Sequence, residues 1–279
     1  MTAPGAETPH PWPTDRRVTI RDLHAATARG ERWAMLTSYD TMTAGVFEEA
    51  GVRALLVGDS AGMVVLGHET TVRITVDDLL PLVAAVVRGT RTAMVVADLP
   101  FGSYQAGPAE AMTAAARFLK EAGAHAVKLE GGRHVVPQVE RLTAAGVPVM
   151  GHLGLTPQSV HALSGLRRVQ GRGEAGDRLL EDAVALERAG IFALVLESVP
   201  AELGTRVSEA LTVPTIGIGA GPGTDAQILV WQDMAGLTPP PVPRFVKRYA
   251  DLRGVLGDAV KHYVSEVAEG VYPDEPHSY

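Results

Sequence analysis

Short apolar runs alternate along this chain with segments whose apolar residues recur at helical spacing, the signatures of buried strands and amphipathic helices. Thr19–Arg29 suits a short helix, with Thr19 and Asp22 set as a partial capping box. Trp33–Thr37 predicts the first strand, and a helix over Thr43–Ala50 follows it and stops at Gly51. Ala54–Val57 predicts the second strand, and an irregular stretch with Gly62, Gly67 and His68 leads to a helix over Val76–Arg88. Further strands are expected at Ala93–Ala97, Ala126–Leu129, Val147–Met150, Phe192–Leu196 and Val213–Gly217, with a weaker eighth at Ile228–Val230. The helices between them fall at Pro108–Ala122, with proline near its start and Gly123 past its end, then Val135–Ala145, Asp177–Ala189 and Ala201–Leu211. His152–Gly173 reads as a long loop, and Arg244–Ala268 as one or two helices after the turn Pro239–Pro243.

Eight strands alternating with helices make a parallel sheet, and eight is the number that closes a (β/α)₈ barrel, the TIM-barrel fold. An open doubly wound sheet is the alternative, but it calls for a glycine-rich fingerprint after the first strand, where this chain has none. Its glycine-rich stretch IGIGAGPG (Ile216–Gly223) follows the seventh strand, with the wrong spacing for a dinucleotide motif. That stretch reads either as a phosphate or carboxylate cradle or as a tight backbone turn. Residues 18–279 are expected to form a single barrel domain including its C-terminal helices, and residues 1–17, rich in proline and threonine, a flexible arm.

Composition narrows the field. A net charge of −7 argues against tracking a nucleic-acid backbone, which needs clustered lysine and arginine. The absence of cysteine excludes disulfides, cysteine-ligated zinc and thiol catalysis. No run approaches the roughly 18 apolar residues of a membrane span, and the first residues lack the apolar core of a secretory signal. A cytoplasmic location is the expectation.

The stretch Arg53–Asp78 (RALLVGDSAGMVVLGHETTVRITVDD) shows where the chemistry lies. Its apolar run breaks off at Gly58-Asp59-Ser60, and three later runs end similarly: MVVAD at Asp98, AVKLE with Lys128 and Glu130, and ALVLE at Glu197. In a barrel the carboxyl ends of the strands share one mouth, so these four acids would converge there. Asp59 or Asp98 alone reads most simply as a helix cap or a buried ion pair. Four together repel one another, and a cation is the simplest remedy. Oxygen ligands, few in number, suit Mg²⁺. Lys128 stands two residues before Glu130 and so shares its face, either to bind a substrate carboxylate or to pair with Glu130. His152 is more often a hydrogen-bonding residue than a ligand at such a place. Ser60 is a candidate donor to an oxyanion or carboxylate, without a GxSxG nucleophile pattern around it. His68 reads as a loop anchor. Arg167, Arg168 and Arg172 read as a solvated face or as a contact for an anionic substrate tail.

LLVGDSAGMVVLGHETT, ADLPFGSY, VKLEGG, GHLGLTPQS, VQGRG, VLESVP, PTIGIGAG and GVYPDEPHS together resemble the ketopantoate (3-methyl-2-oxobutanoate) hydroxymethyltransferase family, from about Met35 to Ser278. The resemblance implies a Mg²⁺-dependent barrel of the phosphoenolpyruvate/pyruvate-binding type, acting in pantothenate and hence coenzyme A synthesis. It implies transfer of a one-carbon unit from 5,10-methylenetetrahydrofolate to 3-methyl-2-oxobutanoate, giving 2-dehydropantoate. By motif, Asp59 would bind metal and keto acid, Ser60 the keto acid, and Asp98 both. Lys128 would bind the keto acid, Glu130 the metal, and Glu197 would be the proton acceptor. A large homo-oligomer, a decamer of two pentameric rings, is implied as well, with the Arg244–Ala268 helices expected to pack on a neighbouring subunit. Gly165–Val169 and the GRGEAGD segment after it depart from the family pattern, which bears on the fifth loop and any folate contact there.

Overall fold

Successive side chains of a strand point to opposite faces, so a strand in a closed barrel sends alternate residues to the interior and to the helices outside. The computed structural model, which describes residues 12–163, 165 and 169–279, follows this rule closely. Its strands are β1 (Trp33–Thr37), β2 (Ala54–Val57), β3 (Met94–Asp98), β4 (Ala126–Glu130), β5 (Val149–Gly154), β6 (Ala193–Glu197), β7 (Thr215–Ile218) and β8 (Ala226–Leu229). They run parallel in sequence order, and β8 pairs with β1 to close the barrel. The expected (β/α)₈ fold is the one observed.

The helices are α1 (Ile20–Ala28), α2 (Thr41–Glu49), α3 (Ala61–Val64), α4 (Val76–Arg88), α5 (Pro108–Lys120), α6 (Val136–Ala144), α7 (Glu174–Arg188), α8 (Ala201–Ala210), α9 (Trp231–Met234) and α10 (Leu252–Glu269). Their starts show the usual local chemistry. Thr75 and Asp78 form a capping box at α4, and Pro108 occupies the first turn of α5, where its missing N–H costs nothing. The short α3 was not legible as a helix, because one turn of Ala-Gly-Met-Val carries no periodic signal.

Inside the barrel, Trp33 and Met35, Ala54 and Leu56, Met94 and Val96, Met150, Val195, Ile216 and Ile228 form one apolar cluster. Its amino-terminal end is closed by α1 and the segment before it. Trp12, Val18, Leu23 and Ala26 join the same cluster, and Trp12 stacks edge-on against Trp33 at 6.5 Å. Two residues of the expected arm, Trp12 and Arg17, are anchored, whereas residues 14–16 between them are exposed. Trp12 is buried with its indole N–H on Glu31 at 2.6 Å, and Arg17 donates to Thr90 and to Ala93 O at 2.6 Å. Residues 1–11 lie outside the described residues.

The chain divides into two compact units, Met1–Leu229 and Val230–Tyr279. In the second, the one or two helices expected over Arg244–Ala268 are a single helix that begins only at Leu252, capped by Asp251 accepting from Gly254 N at 3.2 Å. The residues before it are irregular, with Tyr249 N bonded to Met234 O at 2.9 Å.

Candidate active site

The carboxyl ends of β2 to β6 carry Asp59, Ser60, Asp98, Lys128, Glu130, His152 and Glu197. β2 stops at Val57, and the chain turns at once, Ala61 N bonding Gly58 O at 3.0 Å and Gly62 N bonding Asp59 O at 2.9 Å. That turn buries Asp59 and places Ser60 at the head of α3, where Ser60 Oγ meets Tyr39 OH at 2.8 Å. Asp98 ends β3 in the same inward series as Met94 and Val96. Lys128 and Glu130 continue the inward series of Ala126 on β4. Glu197 ends β6 in the series of Ala193 and Val195.

His152 needs a correction. It was expected just past the fifth strand, in a loop. β5 instead runs on to Gly154, because its ladder with β6 continues as far as Gly154 opposite Glu197. His152 is therefore a buried strand residue, opposite Glu130 in the β4–β5 register and facing inward.

These side chains form a row of alternating charge. Asp98 Oδ1 lies 2.8 Å from Lys128 Nζ, which is 3.9 Å from Glu130 Oε1. Glu130 Oε1 lies 3.5 Å from His152 Nδ1, and His152 Nε2 lies 3.4 Å from Glu197 Oε2. The first and last of these contacts are charge contacts rather than aligned hydrogen bonds. Glu197 is the most open member, its side chain 16% exposed against 2–4% for the others. The alternation fails at one place, where Asp59 and Asp98 are neighbours and Asp59 N donates to Asp98 Oδ2 at 3.2 Å.

Proton affinities follow the same pattern. Burial, then the charges of Asp98 and Glu130, hold the Asp59 carboxyl well above the usual range. Burial also raises Asp98, partly offset by Lys128. Glu130 behaves differently. Burial works upward on it too, but His152, Lys128 and the Gln158 N–H outweigh that and leave it low. Burial and Lys128 push His152 down, yet Glu130 and Glu197 carry it up to about 9, so it is an imidazolium at neutral pH. Burial opposes the Lys128 charge, but its three acidic neighbours raise it and keep it protonated.

Could a divalent cation sit here? Among the described residues, no three His, Asp or Glu side chains are gathered closely enough to hold an ion by themselves. Glu130 is turned to His152 and to the Gln158 N–H, 3.1 Å from Oε2. Asp59 and Asp98 fit better. Both are buried oxygen donors with raised proton affinity, and they adjoin at the one place where two like charges meet, Asp59 N donating to Asp98 Oδ2 at 3.2 Å. Two carboxylates with water and substrate oxygens are the usual protein share of a Mg²⁺ site. The donor set therefore fits Mg²⁺.

Backbone geometry fixes Glu197. Gly154 has φ +94°, and a Cβ there would stand 2.2 Å from Glu197 O, so only glycine lets the two strands meet at this point. Leu155 N closes the contact on Glu197 O at 2.8 Å. The glycine-rich stretch after β7 is used for packing in the same way: a Cβ on Gly221 would lie 2.4 Å from that of Ala201 on α8. That favours the tight-turn reading over a cradle. His68 N donates to Gly62 O at 2.8 Å, in keeping with a loop anchor. Arg172 is exposed, whereas Arg167 and Arg168 lie outside the described residues.

Sequence reasoning missed Tyr39, Tyr104 and Gln158 as members of the site. Tyr104 and Gln158 stand inside ADLPFGSY and GHLGLTPQS, so the motifs held the signal, but neutral polar residues in loops have no spacing that marks a role. A cleft of about 400 Å³ opens against Tyr104, Glu130 and Gln158, with Phe101, Arg133 and Arg178 also on its walls.

Comparison with known proteins matches this architecture. The model of the ketopantoate hydroxymethyltransferase family matches residues 17–275. The 3-methyl-2-oxobutanoate hydroxymethyltransferase of Frankia casuarinae is 64% identical over 99% of this chain and 93% of its own length. That of Mycobacterium tuberculosis is 56% identical over 100% of this chain and 99% of its own length. Among solved structures, phosphonopyruvate hydrolase complexed with oxalate and Mg²⁺ superposes with a TM-score of 0.60 at 14% identity, covering 92% of each chain. 2,3-Dimethylmalate lyase, of the PEP mutase/isocitrate lyase superfamily, gives 0.59 at 15% identity, covering 93% of this chain and 91% of its own. At that identity these two show the fold.

Proposed function

The chain belongs to the ketopantoate hydroxymethyltransferase family, and we propose that it transfers a hydroxymethyl group from 5,10-methylenetetrahydrofolate to 3-methyl-2-oxobutanoate, giving 2-dehydropantoate for pantothenate synthesis. The observation that carries the mechanistic part of this reading is the charge row with its single unbalanced point. Asp59 and Asp98 would hold Mg²⁺ there, with Glu130 as the third anionic group of the site. Bound so, the ion would polarise the keto carbonyl and stabilise negative charge developing on its oxygen. Lys128 offers its buried ammonium to the keto-acid carboxylate, and Ser60, steadied by Tyr39, offers a hydroxyl. Glu197 stands at the far end of the row, apart from the aspartates and the most exposed of the acids. There it takes the proton from C3, and the electron pair left behind attacks the methylene carbon of the donor. The two carbon–nitrogen bonds of that carbon break with their electrons returning to nitrogen, tetrahydrofolate leaves, and water supplies the hydroxyl of the product. The cleft beside Glu130 offers room for that second substrate.

In D₂O, 3-methyl-2-oxobutanoate with Mg²⁺ and protein should exchange its C3 proton, seen as collapse of the methyl doublet by NMR. Product should appear when methylenetetrahydrofolate is added. Exchange without product on adding that donor would point to another acceptor of the carbon nucleophile, and neither exchange nor product would sink the reading.

No helix among the described residues is long and apolar enough to cross a membrane. We propose a cytoplasmic homo-oligomer, a decamer in its family's pattern. Support comes from α10, which buries none of its residues and exposes Leu256, Val260, Tyr263, Val264 and Val267. An apolar stripe of this extent belongs in an interface. Sedimentation as a monomer at micromolar concentration would remove this proposal.

A further inference from the structure

Gln158 sits in a single 3₁₀ turn, Pro157–Ser159, on the loop after β5, and is buried. Its side chain has two donor hydrogens and an oxygen with two lone pairs, and every one is used. Nε2 donates to Asp59 Oδ2 at 3.1 Å and to Leu99 O at 2.9 Å. Oε1 accepts from Tyr104 OH at 2.7 Å and from Gln105 Nε2 at 3.2 Å. Reversing the amide would set its oxygen against a carboxylate and a carbonyl, so this orientation is forced. The backbone N–H of the same residue donates to Glu130 Oε2 at 3.1 Å. One residue thus grips a carboxylate from the β2 end and another from the β4 end, on opposite sides of Asp98.

Tyr104 completes the grip. It is buried, and its hydroxyl also accepts from Glu130 N at 3.1 Å and lies 3.0 Å from Glu130 O. Its backbone oxygen is held in turn by Gln138 Nε2 of α6 at 3.1 Å. Burial, then Glu130, push the phenol proton affinity up, so it remains a donor. The chain of support runs from α6 through Tyr104 and the Gln158 amide to Asp59.

We propose that Gln158, oriented by Tyr104, is a positioning residue that fixes the Asp59 and Glu130 carboxylates for a divalent cation and the keto acid. This rests on the metal reading above and adds to it the groups that aim the ligands. The need for such groups follows from electrostatics. Asp59 and Asp98 repel each other, and without a donor on Asp59 Oδ2 the pair would lower its energy by swinging apart or taking up a proton. A partner behind a metal ligand typically governs about 10–100-fold in metal affinity or activity.

The test uses Mn²⁺ as a spectroscopic substitute for Mg²⁺, its free concentration read by electron paramagnetic resonance with 3-methyl-2-oxobutanoate present and well below the melting temperature. Gln158→Met keeps the length and volume of the side chain and deletes its four hydrogen bonds. It should weaken Mn²⁺ about 10–100-fold. Tyr104→Phe should weaken it by a smaller factor, because the Gln158 amide keeps its hydrogen bonds to Asp59, Leu99 and Gln105. A residue that only supported the fold would lower the melting temperature of each variant and leave the affinity of folded protein unchanged. Wild-type affinity in folded Gln158→Met overturns the inference, as does wild-type affinity in Tyr104→Phe should the methionine variant fail to fold. Wild-type protein that takes up no Mn²⁺ removes the metal reading and this inference together, whereas unchanged variants beside a binding wild type remove this inference alone.

Discussion

Two residues of strand separate two different interiors. On β4 Ala126 is packed among methionine and valine, and Lys128, next on the same face, lies against two carboxylates. On β5 the step is from Met150 to His152, and on β3 from Val96 to Asp98. The lower layers are held by shape, since apolar contacts have no direction and a substitution costs what it leaves empty. The upper layer is held by sign and hydrogen-bond geometry, and each member fixes the ionisation of the next. Folding stability and chemistry are thus assigned to different levels of the same strands, and substitutions at the two levels should fail in different ways.

The largest expected effect lies at the top. Glu197→Gln keeps shape and hydrogen-bonding capacity but cannot accept a proton. It should lower C3 exchange of 3-methyl-2-oxobutanoate in D₂O by about 10²–10⁴-fold while keto-acid binding, followed by calorimetry, stays near wild type. Wild-type exchange in this variant would show that Glu197 is not the base.

One layer down, Met150→Ala tests the other half of the comparison. Met150 is fully buried, and the cavity left behind should cost about 2–5 kcal/mol of stability, measured by urea unfolding. Exchange per folded molecule should stay close to wild type at a temperature where the variant is folded. A fall in exchange as large as that of Glu197→Gln would show that the layers are not separable.

How much of this could be read beforehand also divides by level. The strands were legible because parallel strands covered on both faces are plain apolar runs, and Asp98, Glu130 and Glu197 were legible because a charge ends each run. β5 was read too short because Gly151-His152-Leu153-Gly154 has no apolar run to extend, although its backbone ladder continues. Gln158 and Tyr104 were invisible as parts of the site for another reason. Their roles rest on contacts with Asp59 and Glu130, far away in the chain, and nothing in the local pattern of a neutral loop residue reports such contacts. Trp12 escaped notice because proline-rich flanks disguise a residue that seals the barrel floor.

The smallest expected effect is electrostatic and has a sign. His152 is raised to about 9 in the folded protein, above its ordinary value near 6.5, by Glu130 and Glu197 working against burial and Lys128. A group with a raised folded value contributes stability that is fully present below the unfolded value and is lost as pH climbs through the folded one. In metal-free protein, the stability gap between wild type and His152→Gln should therefore be widest near pH 6 and narrow by up to about 3 kcal/mol toward pH 10. Packing lost in the variant is common to every pH and drops out of that difference. Met150→Ala, one inward position below, should show a gap that is flat across the same range, because a methionine has no proton to bind. If urea unfolding gave a flat gap for His152→Gln as well, the imidazole would be neutral in the folded state. The alternating row would then end at Glu130, leaving Glu197 without a cation beside it.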